Sequence, residues 1–215
     1  MTEDERLGSI VTVYRARFGE IAQVIFDCGT RDGDDAAYLK RQLKAKRVFA
    51  VDALPSACEQ TEEKHPDLLV LNTALSNYIG TASFTEIVSD RKDHAGSSSL
   101  VLAPGWESAN KRAVEVQVTT MATLIESLGL QDTMLDVVKV DLEGFTYEFL
   151  EGMGDYIDNA KVMHLETETF HRHEGHRNSQ EVYDYMTSKG FSLYERSYEW
   201  GPSIEDQLWV NDKVE

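Results

Sequence analysis

One pattern constrains this chain above all others: short apolar runs of strand length alternate with stretches of helical periodicity. Residues 22–28 (AQVIFDC) form a continuous apolar run that stops at Gly29. A helix is expected from 34 to about 46, with Asp34 and Asp35 at its positive end and Lys44, Lys46 and Arg47 at the other. Runs at 48–52 (VFAVD), 68–74 (LLVLNTA), 135–141 (LDVVKVD) and 161–166 (KVMHLE) repeat the strand signature. Helices are expected between them at 56–64, from the Thr120 cap to 128, and at 145–153. Asn178 with Glu181 three residues on reads as a capping box, and Gly190 ends that helix. Residues 191–196 and 207–210 read as a closing β-pair, while 81–88 and 114–118 alternate as an antiparallel insertion. Strand–helix alternation implies an α/β fold with a mostly parallel sheet covered on both faces and an antiparallel closing strand. Such sheets bind ligands outside the carboxyl ends of their strands.

At 215 residues and 41% hydrophobic, the chain fits one domain over 1–215. Its parts are a helical extension at about 1–20, an inserted β-hairpin and loop at about 76–118, and a substrate-side loop at about 169–180. No apolar run approaches the roughly 18–20 residues that span a bilayer. The start, MTEDERLGSI, lacks the apolar core of a signal peptide, so a cytoplasmic protein is expected. Cys28 and Cys58 are too few for a disulfide framework. With 38 acidic and 21 basic residues the formal charge is −17, which disfavours a nucleic-acid partner.

The chemistry-bearing segments fall where that architecture places ligands. Asp27-Cys28-Gly29-Thr30-Arg31-Asp32-Gly33 occupies the turn between the first strand and helix. Its glycines are spaced GxxxG, not the GxGxxG of a pyrophosphate loop, and its acids suit a cationic sulfonium or an amino group. Asp52, followed by Ala53, ends the second strand, where a carboxylate can accept hydrogen bonds from both ribose hydroxyls of an adenosine ligand. Asn72-Thr73-Ala74-Leu75 can border an adenine ring. Lys139, Asp141 and Glu143 interrupt an otherwise apolar strand, the kind of local inconsistency expected at a functional site.

Together FDCGTRDG, VDAL, NTALSN with Gly80, the SSSL at 97–100 and VKVDLEGFTYEFLEGM resemble the FkbM family of S-adenosylmethionine-dependent methyltransferases, over about residues 24–168. That resemblance implies the class I methyltransferase Rossmann-like fold, a seven-stranded sheet, and O-methylation of a sugar or other small-molecule hydroxyl. It implies that Asp27, Gly29 and Gly33 line the methionine end of the cofactor, with Thr30 also among the cofactor-binding residues. Asp52 would then hold the ribose, Asp141 and Glu143 would stand beside the acceptor, and Ala53, Thr73, Ala74 and Asp141 are expected to touch the cofactor.

If the strands at 135–141 and 161–166 are neighbours, Asp141 and Glu166 emerge side by side with Glu168 behind, a hard-oxygen pair suited to Mg²⁺ or Mn²⁺. The alternative is that these carboxylates bond the substrate or cofactor directly. His171, His173 and His176, with Glu174, form a loop cluster that is either solvated, zinc-binding or a source of a general base; His171 is the catalytic choice. Tyr185 and Lys189 reproduce the YxxxK spacing of short-chain dehydrogenases, but Val182, Tyr183, Tyr185 and Met186 read better as a helix's apolar stripe. A nicotinamide-dependent oxidoreductase and a non-catalytic cofactor-binding module are the competing functions.

Overall fold

A computed structural model describes residues 3–88, 98–101, 109–171, 175–198 and 201–214. Helix α1 (Glu3–Phe18) leads into β1 (Val24–Cys28), α2 (Asp34–Gln42), β2 (Arg47–Asp52), α3 (Pro55–Lys64) and β3 (Leu69–Asn72). A short β4 (Ala74–Leu75) precedes the hairpin strands β5 (Gly80–Ile87) and β6 (Lys111–Thr119). Then come α4 (Met121–Ser127), β7 (Leu135–Val140), α5 (Thr146–Met153), a 3₁₀ turn (Gly154–Asn159) and β8 (Ala160–Glu168). Helix α6 (Ser179–Ser188) and strands β9 (Phe191–Ser197) and β10 (Ile204–Asn211) close the fold.

Seven strands form one sheet in the order β3-β2-β1-β7-β8-β10-β9, parallel from β3 through β8. β10 runs antiparallel to both of its neighbours, as the closing pair predicted. β4, β6 and β5 form a separate three-stranded sheet, the expected insertion.

Period-two alternation divides the apolar residues between two cores. On one face Phe26, Phe49, Val138, Met163 and Trp209 pack with Met121 and Ile125 of α4, Phe149 and Leu150 of α5, and Val182 and Met186 of α6. On the other, Ile25, Val48, Val137, Val162 and Leu208 meet Leu7, Ile10 and Tyr14 of α1 and Ala36 and Leu39 of α2. The N-terminal helix is thus a wall of the second core. No helix among the described residues is long and apolar enough to cross a membrane.

Several boundaries differ from the sequence reading, among them β6 and β10, which begin three residues earlier at Lys111 and Ile204, and three more bear on the site. Helix α2 stops at Gln42, because Lys44 adopts a left-handed φ of 48° that turns the chain back. The run 68–74 divides at Thr73, whose N–H donates to the Asp52 carbonyl (2.9 Å), so Ala74 and Leu75 join the second sheet. β8 continues to Glu168 because β10 pairs with it as far as Ile204.

Candidate active site

The carboxyl ends of β2, β1 and β7 are joined by backbone hydrogen bonds. The N–H groups of Gly29 and Thr30 both donate to the Val51 carbonyl (2.8 and 3.1 Å), and the Asp141 N–H donates to the Cys28 carbonyl (2.9 Å). Gly29 has φ 82°, and a Cβ built there would lie 1.8 Å from the Asp141 carbonyl oxygen. Its missing side chain therefore serves the crossing of two chain segments. Gly33 works similarly: at φ 78° it precedes α2, and a Cβ would meet Thr61 Cγ2 at 2.6 Å.

A cavity of about 470 Å³ opens over these ends. The first loop contributes Gly29, Thr30 and Arg31, and the end of β2 contributes Asp52, Ala53 and Leu54. Thr73 and Ala74 form another part of the wall, and the hairpin adds Phe84, Glu86 and Ile87. Lys139, Asp141, Glu143 and Glu166 line it too. The hairpin's share went unread in the sequence, because its alternation signals an exposed strand without saying what that strand leans over.

Two backbone N–H groups hold the Asp52 carboxylate: Arg31 donates to Oδ2 (3.0 Å) and Leu54 to Oδ1 (2.9 Å). Burial pushes this carboxyl up to about 6, partly opposed by those two donors and reinforced by the charges of Asp27 and Asp141. Each oxygen keeps a second acceptor position. Arg31 pays for its donation with a left-handed φ of 55°.

Asp27 is fully buried, and its carboxylate is used inside the protein. Thr30 Oγ1 donates to Oδ2 (2.8 Å), and Lys139 Nζ lies 3.2 Å from Oδ1. Asp27 and Lys139 face each other in the β1–β7 register. Lys139 Nζ also reaches Asp35 Oδ2 at 3.0 Å and Asp141 Oδ2 at 3.8 Å. Asp27 and Gly33, expected to line the cavity, instead support its floor from within. The acidic first turn of α2 hinted at Asp35, but only the fold brings it to Lys139.

Asp141, Glu143 and Glu166 converge, each offering an oxygen within 4.8 Å of the others. Neighbouring β7 and β8 place Asp141 and Glu166 side by side, and Glu143 turns back through a left-handed φ of 50° before Gly144. Ser99 Oγ donates to the Glu143 carbonyl (2.9 Å), fastening the insertion to this turn. The Glu166 carboxyl is 8% exposed and makes no hydrogen bond or ion pair among the described residues. Burial, then the charges of Asp141, Glu143, Asp206 and Glu168, push it well above the usual carboxylate range.

His171 is not brought to this cavity. Its Nε2 sits 3.3 Å from Glu181 Oε2 and from Asn178 Nδ2 on an exposed surface, because the capping box of α6 draws the loop that way. His176 is buried against Glu168 (3.4 Å), which removes Glu168 from the carboxylate cluster. His173 and Glu174 lie outside the described residues. Tyr185 donates its hydroxyl to the Leu150 carbonyl (3.2 Å), and Lys189 lies over the Tyr185 ring, so the YxxxK spacing is part of helix packing.

The strand order and the cavity at its carboxyl edge define the S-adenosylmethionine-binding Rossmann-like fold of class I methyltransferases. The model of the methyltransferase FkbM domain matches residues 27–193, and the chain belongs to the FkbM methyltransferase family. Solved structures agree in fold. The FkbM methyltransferase of Methylobacillus flagellatus KT is 12% identical with a TM-score of 0.58; the match covers 92% of this chain and 47% of that one, so this chain spans about half its length. Magnesium protoporphyrin IX methyltransferase from Synechocystis PCC 6803, solved with bound cofactor, is 11% identical with a TM-score of 0.55, covering 97% and 79%. A putative tRNA (m1A22) methyltransferase of Streptococcus pneumoniae, in complex with S-adenosyl-L-methionine, is 10% identical with a TM-score of 0.53, covering 98% and 74%. A search of curated proteins finds no match.

Proposed function

We propose that this chain transfers the methyl group of S-adenosylmethionine to a hydroxyl of a small polar acceptor, such as a sugar. The observation that carries this reading is one cavity with two unlike sides: the Gly29–Asp52 side and the Asp141–Glu143–Glu166 side. The residues present suit the cofactor. A cavity of about 470 Å³ is of small-ligand size, and Asp52 keeps an acceptor position on each oxygen for two ribose hydroxyls. Gly29 and Thr30 would border the methionine end, Ala53 the ribose, and Thr73 and Ala74 the adenine. When bound, S-adenosylmethionine supplies an electrophilic methyl carbon on a cationic sulfur.

The chain's own work is alignment and proton removal. Asp141 and Glu143 stand where an acceptor hydroxyl would meet the methyl group, and either carboxylate can take its proton. Asp141 and Glu166, with Glu143 as a third oxygen donor, would hold Mg²⁺ or Mn²⁺, whose charge would acidify that hydroxyl. The unpartnered Glu166 carboxyl supports a cation here. The chain's charge of −17 supports a small acceptor over a polyphosphate one.

Ligand-induced stabilisation tests the cofactor: S-adenosylhomocysteine should raise the melting temperature and NAD(P)H should not. Stabilisation by NADH alone overturns the reading in favour of an oxidoreductase. Tight cofactor binding with no labelled methyl reaching any hydroxyl acceptor favours a non-catalytic module. Mn²⁺ binding, read by electron paramagnetic resonance, should disappear in Glu166→Gln; unchanged binding removes the metal assignment.

A further inference from the structure

Lys139 is a lysine near the carboxyl end of the buried strand β7, 2% exposed. A buried cation is costly unless paired, and one carboxylate would suffice to pair it. Here three surround it: Asp27 at 3.2 Å, Asp35 at 3.0 Å and Asp141 at 3.8 Å. These acids come from three elements, namely β1, the first turn of α2, and the chain just beyond β7. The group is also not sealed. Lys139, Asp35 and Asp141 all line the cavity, beside Gly29 and Thr30. Its charge therefore acts on whatever occupies that end.

Resting on the proposed cofactor, one property of the reaction meets this arrangement. In the proposed transfer the carbon–sulfur bond would break with its electron pair left on sulfur, the methyl carbon would bond to the acceptor oxygen, and the hydroxyl proton would pass to Asp141 or Glu143. The ligand enters with a positive sulfur and leaves with a neutral one. Local charge thus sets how differently the site holds substrate and product, and too negative a site would stabilise the sulfonium ground state more than the charge-dispersed transition state. We propose that Lys139 is a charge-balancing, specificity-determining residue that sets the preference of the site for the cationic cofactor over its neutral product. Asp35 is its counterweight.

The test is the ratio of the dissociation constants of S-adenosylhomocysteine and S-adenosylmethionine, measured by calorimetry in EDTA. The two ligands share their adenosine and amino-acid parts, so the ratio isolates the sulfur charge with its methyl group. Lys139→Met should raise the ratio about tenfold, the order expected for one charge across a cavity end at intermediate dielectric. Asp35→Asn should lower it several-fold, and Lys139→Arg should leave it within about twofold of the wild type. A purely structural lysine would weaken both ligands together and leave the ratio unmoved. Ratios within about twofold in both Lys139→Met and Asp35→Asn overturn the assignment. Should Lys139→Met fail to fold, Asp35→Asn and Lys139→Arg decide by themselves. A wild-type protein that binds neither ligand overturns the functional reading, whereas binding of both with an immovable ratio overturns only the charge assignment.

Discussion

The two ends of β7 carry acids of opposite character. At its start, Asp136 is 1% exposed and saturated: Tyr14 Oη donates to Oδ1 (2.7 Å), Lys161 Nζ reaches the same oxygen (2.7 Å), and the Gln23 and Val24 N–H groups donate to Oδ2 (2.6 and 2.9 Å). This acid ties α1, β1 and β8 to one strand. Past the other end, Asp141 has Lys139 at 3.8 Å and faces the cavity, while the neighbouring Glu166 carboxyl has no hydrogen bond or ion pair among the described residues. One end spends its acceptor capacity on the protein, and the other leaves it turned toward the cavity. Burial alone does not separate the two kinds of acid, since Asp136 and Glu166 are both buried; the partners do.

The comparison breaks if the two ends respond alike to mutation. Asp141→Asn should lower methyl-transfer turnover by about 10³-fold, with the melting temperature nearly unchanged and S-adenosylhomocysteine affinity close to wild type. A large loss of stability instead would make Asp141 a second Asp136. Asp136→Ala should cost about 3–5 kcal/mol in denaturant titration, because it strands Lys161, Tyr14 and two backbone donors, while the protein that remains folded still binds cofactor. Asp52→Ala should weaken S-adenosylhomocysteine by roughly ten- to a hundredfold, the worth of hydrogen bonds to a charged acceptor.

The smallest effect is one of pH. With its native carboxyl pushed up to about 6 from an ordinary value of 3.8, Asp52 favours the folded state most when protonated. Its contribution to stability is present below 3.8 and is lost as pH rises through about 6. The proposed ribose contact needs the carboxylate, so S-adenosylhomocysteine should bind about tenfold more weakly at pH 5 than at pH 7, following the ionised fraction. Asp52→Asn should flatten both profiles, as titration calorimetry and thermal melts would record.

Much of the frame was legible because it rests on local rules. Alternation in AQVIFDC and LDVVKVD, the Asn178–Glu181 capping box and the apolar stripe of α6 each report their structure within a few residues. The convergence of Asp141 with Glu166 was legible on one further assumption, that β7 and β8 are neighbours, and their parallel register meets it. What escaped depends on contacts distant in sequence. The Lys139–Asp27 pair spans 112 residues, and nothing near Lys139 indicates that Asp35 will meet it. Gly29 was readable as a glycine of the first strand–helix turn, yet the atom its missing side chain avoids belongs to Asp141. His171 misled for the converse reason: proximity in sequence to the end of β8 placed it near the site, and a local cap at Asn178 took it elsewhere.

The insertion carries a consequence for how such a chain can change over generations. β5 and β6 hold their own small core around Val116 and Val118, and among the described residues they join the rest through β4, Ala53 and side-chain bonds that include Ser99–Glu143, Thr73–Gln117 and Ser56–Glu86. Yet they wall the cavity with Phe84, Glu86 and Ile87. A wall with a core of its own has the make-up of an exchangeable cassette: on the proposed function, its sequence could drift or be grafted from a relative, and taste for a new acceptor could arise without redrafting Asp52 or the Gly29 turn.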